Sequence, residues 1–153
     1  MSFKFSLQKI LILRENEAND AQKKLLEIEN ILFQLKNILN EERIQYFSDR
    51  DELNEAVKKV EFPKIKLYET SLSIRQEKMM DLLKNIREVT TDLNDQKNIL
   101  QQAKINFKMI EKLYEIKEKE YEKKELQKEQ IQLDELAALG FRKNLMEDEN
   151  EEE

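Results

Sequence analysis

Apolar residues recur along this chain in alternating steps of four and three. From Leu7 the steps land on Leu11, Arg14, Ala18, Ala21, Leu25, Ile28, Leu32, Leu35, Leu39, Glu42, Tyr46, Asp49, Leu53, Ala56 and Val60, and thirteen of these sixteen positions are apolar. A stripe held in register this long far exceeds the roughly three or four heptads that argue a coiled coil. The spacing predicts a first helix over about 5–61. Glu61-Phe62-Pro63-Lys64 then interrupts it, because proline lacks the amide donor and disfavours helical backbone in the residue before it. A second stripe runs Ile65, Tyr68, Leu72, Arg75, Met79, Leu82, Ile86, Val89, Leu93, Gln96, Leu100, Ala103, Phe107, Ile110, Tyr114, Lys117 and Tyr121, with fourteen of seventeen positions apolar. Leu126, Leu133, Leu136 and Ala137 fall out of that phase. The second helix is expected over about 64–139, with Gly140 placed as a carboxyl-terminal cap.

Two long amphipathic helices joined at a short proline-marked break favour an all-α fold, a long antiparallel two-helix coiled coil in which each stripe covers the other. A kinked continuous rod that dimerises is the alternative. At about 1.5 Å per residue the helices are roughly 80 and 110 Å long, so the end of the second overhangs the first as a candidate docking surface. The polar stripe members Arg14, Glu42, Asp49, Arg75, Gln96 and Lys117 lower stability while fixing register. Phe33, Phe47, Phe62 and Leu67 lie off the stripes and mark a partner surface if they face solvent.

Composition agrees with few, long elements: one glycine and one proline in 153 residues leave almost nowhere to turn, 39% of residues are charged, and mean hydropathy is −0.80. It also narrows the chemistry. With no cysteine, histidine or tryptophan there is no thiol nucleophile, no thiolate zinc site and no imidazole base. Paired carboxylates such as Glu41-Glu42 or Asp49 with Asp51 are the remaining catalytic option, but adjacent carboxylates diverge on a helix and a solvated face explains them. We expect no enzyme activity, no cofactor and no metal site. The net charge of −6 resides in the final EDENEEE, six acids without a base; residues 1–146 hold 27 bases against 27 acids. The expected organisation is a single hairpin domain over 1–146 and a disordered acidic tail over 147–153. A neutral rod with an acidic end disfavours nucleic acid. Apolar runs reach only four residues, as at 10–13, so neither a membrane span nor a secretory signal is predicted and a cytoplasmic location is expected.

The opening MSFKFSLQKILILRENEANDAQKKL and the stretch EKEYEKKELQKEQIQLDELA resemble the FliJ family of flagellar export proteins. The carrying residues are Phe3, Lys4, Phe5, Leu7, Ile10, Leu11 and Arg14-Glu15 at the start, and Gln127, Lys128, Gln130, Asp134, Glu135, Leu136 and Ala137 near the end. Length, two-helix organisation and the mid-chain break match as well. The resemblance implies a non-catalytic stalk of the bacterial type III export apparatus, monomeric when free and peripheral to the inner membrane at the flagellar base. Its implied partners are the export ATPase and its regulator and the membrane export gate, and it permits export chaperones.

Carried onto this sequence, the resemblance implies an ATPase-facing end formed by Phe3, Phe5, Leu7, Ile10, Leu11 and Arg14 with Leu126, Gln130, Asp134, Glu135 and Leu136. It implies a gate-facing shaft at Leu35, Leu39, Tyr46, Tyr68, Leu72, Arg75 and Met79. Ordinary packing between the helices is the competing account of each apolar residue in both sets. The stalk of an injection-type secretion system and an unrelated coiled-coil scaffold that dimerises are the alternative functions.

Overall fold

The computed structural model describes residues 2–152 and contains two helices, α1 (Gln8–Lys58) and α2 (Phe62–Glu151). The chain divides into two compact units, Glu15–Ile105 and a second made of Met1–Arg14 with Asn106–Glu153.

Glu15–Ile105 is an antiparallel helical hairpin. Cross-helix pairs fix the direction: Ala21 meets Gln96, whereas Glu42 meets Arg75, so numbers rise on one helix as they fall on the other. The stripes read from sequence are the packed faces. Ala21, Leu25 and Leu32 of α1 are buried with Leu93 and Leu100 of α2, and Ile28, Ile86, Val89 and Ala103 pack against them. Leu39, Ala56 and Leu82 extend the buried line. Two helices can shield only one stripe apiece, and accordingly no described side chain is fully buried.

The reversal between the helices is built by backbone geometry more than by proline. Glu61 N–H donates to Ala56 C=O (3.0 Å) and Val60 N–H to Val57 C=O (3.2 Å). That nested pair is a Schellman motif, and it places Val60 at the position after the helix that adopts left-handed backbone, here with φ 54°. α1 therefore ends at Lys58, short of the expected Glu61, and Val60, the last expected stripe position, is exposed in the turn. Ile65 N–H donates to Glu61 C=O, which makes Glu61 the residue that opens α2. Pro63 then sits in the first turn of α2 rather than before it. Amides there have no intrahelical acceptor, so the missing N–H costs nothing.

In the other unit, α1 begins at Gln8 instead of residue 5, after a turn in which Gln8 N–H donates to Phe5 C=O (3.2 Å). α2 continues past the expected stop at Leu139. Gly140 does not adopt left-handed backbone and lies inside the helix, which runs through the first acids of EDENEEE to Glu151. This corrects the expected cap and the expected unstructured end. One glycine costs about 1 kcal/mol against alanine in a helix, and its neighbours Ala137, Ala138, Leu139, Arg142, Lys143, Leu145 and Met146 are helix formers with no proline after them.

A β-branched residue in left-handed backbone is strained by about 1–2 kcal/mol, a cost glycine avoids. Val60→Gly is therefore expected to raise the midpoint of thermal unfolding, followed by far-UV circular dichroism, although a turn glycine ordinarily loosens the unfolded chain. A lowered midpoint would contradict strain at Val60.

Candidate functional site

The residues expected at an ATPase-facing end fall into two groups with different surroundings. Before α1 residues 2–5 have no regular secondary structure, and Phe3 and Phe5 both turn onto α2. The Phe3 ring meets Tyr114 (centroids 5.5 Å, edge-on) and Tyr121 (5.4 Å), and Phe5 meets Tyr114 edge-on at 5.2 Å. Such edge-to-face pairs contribute about 0.5–1.5 kcal/mol each beyond area burial. Phe3, Phe5, Leu7, Leu11 and Arg14 are half-buried, and Ile10 is just exposed. The packing account therefore holds for the two phenylalanines: they clasp α2 instead of projecting from the molecule.

Leu126, Gln130, Asp134, Glu135 and Leu136 are all exposed, as is every described residue from Leu126 to Glu152. Gln130 Nε2 donates to Asp134 Oδ1 (3.0 Å) along the helix surface. Leu133, Ala137 and Phe141 follow one another at steps of four, so this part of α2 carries an apolar stripe without a cover.

The expected shaft residues lie within the hairpin. Leu39 is buried and Leu35, Tyr46, Tyr68, Leu72, Arg75 and Met79 are half-buried, all on the stripes. Packing accounts for the apolar ones. The off-stripe residues are the open ones: Phe33, Phe47, Phe62 and Leu67 are 57–72% exposed. Phe47 stacks edge-on against Tyr46 (5.8 Å) and, with Leu39, Arg43, Gln76, Met79, Met80 and Leu83, lines a shallow groove between the helices. Sequence reasoning missed Arg43, Met80 and Leu83. The signal available was a Met79-Met80 pair and a Leu82-Leu83 pair, in each of which the stripe accommodates only the first member.

Arg75 does more than interrupt a stripe. Its Nε donates to Asp49 Oδ2 (2.7 Å) and its Nη1 to Glu42 Oε2 (3.1 Å). Lys78 Nζ donates to the other Glu42 oxygen (2.8 Å), and Ser71 Oγ donates to Asp49 Oδ2 (2.7 Å). Glu42 is only 9% exposed, yet no buried side-chain polar atom lacks a partner among the described residues. The Lys78 hydrogen bond, with Arg75 in support, outweighs burial and holds the Glu42 carboxyl below its ordinary range. Ser71 and then Arg75 do the same for Asp49, and the two carboxylates in turn raise Arg75, Asp49 first. Further along, Gln96 Nε2 donates to the Ala21 carbonyl (3.1 Å), an amide reaching the backbone of the opposite helix where the facing residue is small.

No group of three acidic, histidine or cysteine side chains that could hold a metal ion occurs among the described residues. Among the described residues no helix is long and apolar enough to cross a membrane. The chain matches no protein-family model, no curated protein and no solved structure.

Because Glu42 and Asp49 bind protons less readily folded than unfolded, their contribution is complete above the unfolded values near pH 4 and is lost as pH falls through the lowered folded ones. Arg75→Ala should cost about 2 kcal/mol at pH 7, below the range for a fully buried pair because Arg75 is partly exposed. It should also flatten the dependence of the melting temperature on pH between about 5 and 2. Parallel thermal melts of the two proteins across that window check both effects.

Proposed function

We propose that the chain is a non-catalytic stalk of the flagellar type III export apparatus, which engages the export ATPase through the exposed end of α2 and the membrane export gate through the hairpin. The observation that carries this reading is the continuous helical extension from Leu126 to Glu151 with no cover over Leu133, Ala137 and Phe141. Helical surface of that kind suits insertion between other subunits. The amino-terminal aromatic-basic-aromatic motif supports a flagellar system over an injection-type one. Its role shifts, however: with Phe3 and Phe5 turned onto Tyr114 and Tyr121, the motif anchors the start of the chain to α2 and leaves recognition to α2 itself.

On this reading the protein works in the cytoplasm at the inner-membrane face of the flagellar base. The ATPase, its regulator and the gate are its partners, and export chaperones are compatible additional ones. The stripes cover one another within a single chain, so folding requires no second subunit. Shaft recognition would use Phe47, Met80 and Leu83, which are open, more than Leu35, Leu72 or Met79, which are engaged in packing.

ATP hydrolysis by the export ATPase of the same organism, measured with this protein titrated in, tests the proposal. Stimulation is expected from the full chain and not from a version lacking residues 126–153, whose retained helical content shows that the hairpin is intact. No stimulation and no co-migration by the folded full chain would move the assignment to a coiled-coil scaffold.

A further inference from the structure

The groove beside Phe47 has a charged rim that the export reading leaves unused. Arg43 lines it directly. Lys36 and Arg50 stand seven residues to either side of Arg43, and Arg87 stands seven beyond Met80, so heptad spacing puts all four cations along the same two walls. All but Arg43 are plainly exposed flanking positions, and Arg43 is exposed as well. None of the four forms a salt bridge among the described residues, in contrast with Arg75 and Lys78 nearby. The groove floor itself is apolar, from Leu39, Tyr46, Met79 and Leu83. An apolar channel edged by unpaired cations calls for an amphipathic helix with acidic flanks, and the apolar floor favours a helix over the phosphate backbone of a nucleic acid.

The chain carries such a helix. From Leu126 to Glu152 there are eight acids against three bases, and the last five of the acids follow directly on Leu145 and Met146. Leu133, Phe141 and Leu145 are 48–66% exposed on this segment, and the small Ala137 and Gly140 between them allow close approach to another surface. We propose that the acidic carboxyl-terminal segment of α2 docks in the cation-rimmed groove of a second copy, giving reversible head-to-tail association of the free protein. The contact joins two different surfaces, so it passes from copy to copy, in a closed or an open assembly, and grows with concentration. It lies on the outer side of the packed seams, and each chain folds whether or not the contact forms. It is also independent of the export assignment, because it requires no other protein.

The absence of cysteine allows a direct test. One preparation carries Ser73→Cys labelled with a donor dye, beside the groove, and another carries Asn150→Cys labelled with an acceptor; with one dye per chain, energy transfer reports only contacts between copies. At low ionic strength transfer should rise with concentration into the range of about 100 μM, and about 0.5 M salt should suppress it. Arg43→Glu with Arg50→Glu in the donor chain should weaken association by about tenfold or more, and changing Glu147, Glu149, Glu151 and Glu152 to Lys in the acceptor chain should restore it. Circular dichroism verifies that each variant is folded. Absence of transfer at every concentration overturns the proposal, and so does transfer that persists unchanged in the Arg43→Glu, Arg50→Glu chain or in high salt.

Discussion

Within the hairpin of residues 15–105 neither helix can hide its apolar stripe except on the other, and everything else in that unit follows from this mutual dependence. There is no third layer and no enclosed core; Leu25, Leu32, Leu93 and Leu100 are buried by one facing helix and by each other. A seam made only of leucine and isoleucine would tolerate sliding by a heptad, because each apolar knob fits the next hole almost as well. The polar members remove that freedom. Glu42 and Asp49 share Arg75, and Gln96 fits against Ala21, so a slip of one heptad would leave Arg75 with one of its two carboxylates, strand the other and move Gln96 off the small residue it faces.

Much of this was legible in the sequence because the heptad is a local rule. The two stripes, the break near Pro63 and the polar positions that fix register can all be read from spacing. What spacing could not give was partnership. Arg75 is as far in sequence from Asp49 as from many other acids, and only the packed register shows that it bridges Asp49 and Glu42 together. The turn was misplaced for a similar reason: proline is conspicuous, but the reversal rests on hydrogen bonds that reach back across Ala56 and Val57 to a valine in an uncommon conformation.

The two ends of the chain differ more from their sequence reading than the hairpin does. Phe3 and Phe5 precede the regular stripe, and nothing in their spacing says that they turn back onto Tyr114 and Tyr121. Gly140 looked like a stop because glycine usually is one, yet a stop also needs left-handed backbone or a following proline, and neither is present. The open groove was hidden because Met80 and Leu83 lie one residue off a perfect stripe, where a heptad count assigns them to solvent without asking what they adjoin.

The clasp at the amino-terminal end also has an optical consequence. The protein has four tyrosines and no tryptophan, and two of the four, Tyr114 and Tyr121, stand against the rings of Phe3 and Phe5. Asymmetric contact between rings gives an absorbing transition its near-ultraviolet ellipticity, so half of the native chromophores observe one short stretch of chain. Without any label, partial loss of that band, with the share from Tyr46 against Phe47 retained, separates detachment of residues 3–5 from melting of the helices, which the peptide bands record.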